Sequence, residues 1–124
     1  MEQLITALML VVAAIHLVPI SGFLGAKRLS SLYGIDVEGT DLEILMRHRA
    51  VLFGILGSFF VYAAFTPALQ PIAFVGASIS LATFFYLAFT VGEYGASIRK
   101  IVIGDVVAAI ALVGAIVLYL MQND

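Results

Sequence analysis

Four apolar runs, each about as long as a bilayer is thick, constrain this chain more than any other feature. They cover about Leu4–Leu24, Asp41–Phe65, Ile72–Gly92 and Ile101–Met121. A helix rises about 1.5 Å per residue, so a hydrocarbon core of about 30 Å takes about 20 apolar residues. Every run is long enough for one crossing and too short for two. The remaining residues cannot cover a soluble domain: 63% of the chain is hydrophobic, with six basic and eight acidic residues in 124, against about 45–50% apolar in soluble proteins. Mean hydropathy is +1.15. The expected fold is all-α: one integral membrane four-helix transmembrane bundle spanning 1–124.

The connections fit that reading. "TPALQP" separates the second and third runs, and Pro67 and Pro71 each lack an N–H and restrict the residue before them, which predicts a tight hairpin. "VGEYGASIRK" separates the third and fourth. The longest connection, about 25 to 40, contains "KRLSSLYG". It reads either as a loop or as a short interfacial helix with Leu29, Leu32 and Tyr33 towards lipid. The first run follows "MEQ", with no basic segment before it, and exceeds the usual apolar stretch of a signal peptide. It is expected to be retained as a span.

Charge sets the expected orientation. Lys27, Arg28, Arg47 and Arg49 flank the first connection, and Arg99 and Lys100 flank the third, so all six basic residues lie at one end. The positive-inside bias puts that end in the cytoplasm and both termini outside, as in a multi-pass protein of a bacterial inner (cytoplasmic) membrane. A net charge of -2 without a basic, aromatic-interleaved stripe argues against nucleic acid. The absence of cysteine excludes disulfides, thiolate catalysis, iron–sulfur clusters and cysteine-based zinc sites; no metal site is expected.

"ILMRHRAVLFGILG", residues 44 to 57, concentrates basic groups at the lip of a span. Thr40 as N-cap with Glu43 three residues on predicts a capping box, which places Arg47, His48 and Arg49 in the second turn of a continuous helix. At about 100° per residue Arg47 and Arg49 point about 160° apart. Arg47 shares a stripe with Ala50, Gly54, Gly57 and Ser58, and small residues mark close packing between membrane helices. Arg47 is therefore expected inward, with Arg49 snorkelling to the interface.

Ionisable groups within spans are site candidates, because insertion of a charge near the bilayer centre costs about 2.5–3.5 kcal/mol. Asp105, Glu93 and His16 are the candidate acid–base groups. Arg47, His48, Tyr86 and Arg99 are the candidate substrate-binding groups. Asp105 lies beside the small-residue stripe Gly104, Ala108, Ala111 and Ala115; its bland role is an ion pair with Arg47 or Arg99. Glu93 ends a stripe of Gly76, Ser80, Thr83, Tyr86 and Thr90, expected to line the interior; its bland role is an interfacial pair with Arg49. His16 precedes Pro19, whose missing N–H frees the carbonyl of Ile15 and predicts a kink. A neutral imidazole there suits a general base or a ligand, or simply a hydrogen bond to another helix. His48 sits between two arginines, and Glu43 four residues before Arg47 is a favourable helical pair. All these groups map to the basic half of the spans; the other half offers little beyond Thr6, Ser58, Tyr62 and Ser78.

"LYGI" followed by "ILMRHRAVLFGILG", and then "IRKIVIGDVVA", resemble a family of small four-span bacterial membrane proteins of unsettled function. The likeness runs nearly the whole length and implies the four-span fold. Members are sometimes labelled phosphopantetheine adenylyltransferase, but the soluble enzymes of that name look different, being α/β folds with an HxGH motif. Here His16 and His48 belong to no such motif. The chain is also similar in size and span count to small multidrug exporters and fluoride channels. It lacks the intramembrane glutamate of the first helix in the former and the asparagine-rich pore of the latter.

Four functions stay open on these residues. The first is binding or acid–base conversion of a lipophilic, anionic small molecule, with Arg47 on its anionic or carbonyl end and Asp105, Glu93 or His16 moving protons. The second is a small transporter or channel, homo-oligomeric because four short spans enclose little volume. The third is b-type haem ligation by His16 and His48, although no cofactor is the leading expectation. The fourth is an accessory subunit in which ion pairs fasten the bundle.

Overall fold

The structure is a computed structural model describing Met1–Asp124. It is all-helical, without strands. Helix α1 covers Glu2–Leu17 and continues as a 3-10 segment, Val18–Leu24; α2 is Ala26–Tyr33, α3 Thr40–Ala64, α4 Gln70–Val91 after a short 3-10 turn at Pro67–Leu69, and α5 Ala96–Asn123. Four stretches, Glu2–Leu24, Thr40–Ala64, Pro67–Val91 and Ala96–Asn123, are long and apolar enough to cross a membrane. They contain the first and fourth runs expected from sequence and match the second and third except for their last residues, Phe65 and Gly92.

Local chemistry explains the boundaries. Pro19 stands at the start of the 3-10 segment, so the expected kink takes the form of a change in winding. Gly25 follows with φ 136°, a conformation that favours glycine, and turns the chain into α2. Helix α2 ends at Gly34 in the left-handed region, φ 65° and ψ 32°, a common glycine stop. The capping box expected at Thr40 does not form: Gly39 is the N-cap, without a side-chain bond. Its carbonyl accepts the Glu43 N–H at 3.2 Å. The Glu43 carboxylate turns to Arg47 instead, at 3.9 Å.

Helix α1 is the hub, packed against α3 and α5, while α4 packs on α5 and more lightly on α3. The main core joins Ile5, Met9, Phe60 and Leu81 with alanines at 13, 63, 73, 77, 108 and 115. Where hydrocarbon is the solvent, close packing through small residues drives association of helices. The closest approach lies between α3 and the end of α1. A Cβ built on Gly57 would meet Leu17 Cγ and Cδ2 at 2.7 Å, and one on Gly54 would meet Ile20 Cδ1 at 2.6 Å. Large apolar side chains such as Leu52, Ile55, Ile72, Ile79, Phe89 and Ile110 point outwards, as a bilayer-facing surface requires.

Helix α2 turns its apolar face the other way from expectation. Leu29 and Tyr33 are buried, not lipid-facing, and form a second core with Val37, flanked by Met46 and Ile98. Leu29 lies against Gly22, where an added Cβ would be 2.7 Å from its Cδ2. A glycine in the 3-10 segment thus opens the notch that takes α2 onto the bundle. The helix caps the basic end of the bundle and forms one wall of a cavity.

Candidate functional site

That cavity, about 360 Å³, lies between the 3-10 segment and α2 on one side and α3, α4 and α5 on the other. The volume falls within the usual range of small-molecule pockets, about 300–1,000 Å³. Ile15, Val18, Leu32, Phe53, Phe84 and Ile101 supply apolar wall. His16, Arg28, Tyr33, Arg49, Ser80, Lys100 and Asp105 supply the polar groups.

Three cations, Arg28, Arg49 and Lys100, face one carboxylate, Asp105. Arg28 and Lys100 are exposed at the rim, and Arg49 and Asp105 are half-buried. Arg49 is held by two residues, Tyr33 and Phe53. Its Nη1 donates to the Tyr33 hydroxyl at 2.6 Å. Its guanidinium carbon lies 4.7 Å from the Phe53 ring centre and 5.3 Å from that of Tyr33, within range of cation–π attraction. No carboxylate pairs with it, since Glu43–Arg47 is the one ion pair within 4.0 Å in the chain. The guanidinium is positioned, yet most of its five donors are not engaged with protein.

His16 is 3% exposed and both its ring nitrogens are engaged. Nδ1 lies 2.9 Å from the Val12 carbonyl oxygen and Nε2 2.9 Å from Ser80 Oγ. A carbonyl only accepts, so in the neutral ring the proton sits on Nδ1 and Nε2 accepts from the serine hydroxyl. Phe60 packs edge-on against the imidazole, ring centres 5.0 Å apart, and fixes its plane.

Of the seven residues singled out from sequence, His16 and Asp105 reach this cavity and the other five do not. Arg47 and Arg49 exchange the roles expected of them. Arg47 does lie on the small-residue stripe, but that stripe packs against the end of α1 and the 3-10 segment rather than facing the cavity. Arg47 Nε donates to the Phe23 carbonyl at 2.9 Å, and its guanidinium covers the Phe23 ring at 5.0 Å. His48 is exposed and lines a shallow outer groove with Arg47 and Glu43. It therefore does not share a cavity with His16, as a pair of axial haem ligands would.

Glu93 and Tyr86 are exposed, and so is Arg99. Glu93 sits in the turn after α4 with φ 54°. The polar stripe expected on α4 drifts because its average spacing is below the helical period. Six residues at about 100° carry Tyr86 about 120° away from Ser80. Thr83 and Thr90 face outwards and bond their own helix, to the carbonyls of Ile79 and Tyr86, both at 2.7 Å. Only Ser80 of that stripe reaches a partner on another helix.

Arg49, Tyr33, Ser80, Arg28 and Lys100 are polar site residues that sequence reasoning left unassigned. A signal existed for the first. Arg49, Phe53 and Phe60, at steps of four and seven, form a stripe distinct from the glycine stripe, and an arginine heading an aromatic row suits cation–π packing. Beyond the cavity, towards the termini, the bundle centre is filled by Met9, Val12, Phe60, Phe74 and Leu112. No protein-family model matches the chain, and no curated protein or solved structure matches it either.

Proposed function

We propose that this is a multi-pass protein of a bacterial inner membrane, of the small four-span type its sequence resembles. Its basic end faces the cytoplasm, and its cavity binds an amphiphilic small molecule through an anionic or carbonyl oxygen. The observation that carries the reading is Arg49: a guanidinium fixed inside an apolar-walled cavity, pinned by a hydroxyl and two rings rather than by a carboxylate. Its open donors suit the planar oxygens of a phosphate or carboxylate. Arg28 and Lys100 at the rim add to a lining whose cations outnumber its carboxylate. His16 and Asp105 are the groups placed to exchange protons with the bound molecule.

Native mass spectrometry of the purified protein with dodecyl phosphate and with dodecanol tests this. Charge-assisted hydrogen bonds contribute about 1.5–3 kcal/mol each, which corresponds to roughly 10- to 100-fold in affinity. Dodecyl phosphate should bind in preference to dodecanol, and Arg49→Gln should weaken it by that factor, while Arg47→Gln leaves it within about twofold. Equal binding of phosphate and alcohol, or equal loss in the two arginine variants, would refute the proposal.

A further inference from the structure

Hydroxyl groups on membrane helices ordinarily satisfy themselves on a carbonyl one turn back. Thr66, Thr83 and Thr90 all do so here, with hydroxyls 2.7–3.0 Å from the i−4 carbonyl, and Thr6 keeps such a contact, to Glu2 at 3.1 Å, beside one to the Ala64 carbonyl of α3 at 2.9 Å. Ser80 differs. Its hydroxyl makes no bond to its own helix and meets His16 Nε2 on another span at 2.9 Å. The Val12 carbonyl fixes the histidine tautomer from behind, and both Ser80 and His16 line the cavity. The arrangement is a nucleophile, a base and a group orienting the base, within hydrogen-bond reach in series.

We infer that Ser80 is a nucleophile activated by His16, and that the cavity catalyses acyl transfer from esters or thioesters of anionic amphiphiles to water. The inference rests on the reading of the cavity as an anionic-amphiphile site and names its chemistry. In the first step Ser80 Oγ forms a bond to the acyl carbon while its proton passes to His16 Nε2. The carbon–oxygen or carbon–sulfur bond to the leaving group then breaks, and that group departs with the proton from Nε2. Water attacks the acyl-serine, gives a proton to His16, and releases the carboxylic acid as Ser80 recovers its hydrogen. No oxidant or reductant enters. The backbone N–H of Ser80 lies within α4, so the charge developing on the carbonyl oxygen falls to the cations that share the cavity, Arg28, Arg49 and Lys100, rather than to a pair of backbone amides. Electrostatic stabilisation of this kind is strong where water is excluded.

A fluorophosphonate probe with peptide mass spectrometry tests the pair in the purified full chain. Ser80 should carry the adduct, whereas the exposed serines Ser58 and Ser78, internal controls without a histidine partner, should not. Ser80→Ala should abolish it. His16→Gln keeps an amide able to hydrogen-bond Ser80 but supplies no base, and labelling should slow about 100-fold or more, the usual contribution of a general base. Wild-type Ser80 labelling no faster than Ser58 or Ser78 overturns the inference without needing any variant. So does His16→Gln labelling at the wild-type rate, which would leave the hydrogen bond as a tie between helices. Dodecyl phosphate binding in the same preparation separates the two readings. Intact phosphate preference without Ser80 labelling removes only the catalytic inference. His16-dependent labelling without phosphate preference upholds the pair and overturns the anionic substrate class.

Discussion

Gly57→Ala is the sharpest test of the packing that carries His16 to its place. A Cβ at Gly57 would lie 2.7 Å from both Leu17 Cγ and Leu17 Cδ2 and 3.2 Å from the Leu17 backbone nitrogen. Rotamer change in leucine relieves the side-chain clash but not the backbone contact, so α3 and the end of α1 must separate by a few tenths of an ångström. Overpacking of this kind costs about 1–3 kcal/mol. Against it stands the gain of alanine over glycine within a helix, about 0.5–1 kcal/mol. Two other glycines isolate the clash. At Gly76 the nearest atom to an added Cβ is Phe60 Cε1 at 3.7 Å, an ordinary contact, and at Gly104 there is nothing within 4 Å. Both controls gain the helical preference without the collision, so Gly57→Ala should fall below them by about 1–3 kcal/mol. On the scale of small domains, about 4–8 °C per kcal/mol, the thermal midpoint in detergent should differ by roughly 5–20 °C. Because Leu17 follows His16 directly, the His16–Ser80 contact should loosen as well, and fluorophosphonate labelling of Ser80 should fall with it. Equal midpoints for the three alanine variants would refute the close-packed junction.

Two further outcomes follow from the same geometry. Tyr33→Phe removes the hydroxyl that accepts from Arg49 Nη1 at 2.6 Å and should lower stability by about 1–3 kcal/mol; an unchanged denaturation midpoint would mean that Arg49 does not depend on α2. The chain has no cysteine, so single cysteines report topology cleanly. Lys27→Cys and Lys100→Cys should react with a membrane-impermeant maleimide only after spheroplasts are broken, and Ala68→Cys should react in intact ones. The reverse pattern would invert the proposed orientation.

The spans were legible because they depend on one property, apolar length, that the bilayer reads residue by residue. The position of Pro19 announced a kink, which the chain takes as a change of winding. Faces were harder. The stripe Ala50, Gly54, Gly57 correctly marked close packing, but a stripe of small residues does not say which element it packs on. Here the partners are the end of α1 and the 3-10 segment that continues it, and Arg47 followed the stripe away from the cavity. The same ambiguity hid α2: Leu29 and Tyr33 satisfy their apolar character equally well against lipid or against Gly22 and α3, and only the tertiary contact decides. Ser80 was visible as one member of a polar row and as nothing more. Its distinction, a hydroxyl bonded to another span while nearby threonines turn back on their own helix, depends on a partner 64 positions away.

The tight winding of Val18–Leu24 acts as a phase shifter. Seven residues advancing by about 120° instead of about 100° accumulate about 140° of additional rotation before α2 begins. Without it, a helix that shows core to its neighbours at mid-membrane would show core again at the rim. With it, Ile20 seats against Gly54 and Gly22 receives Leu29, while Val18 and Pro19 become wall. A single proline thereby lets one uninterrupted crossing serve as scaffold at one depth and as the side of a chamber at another.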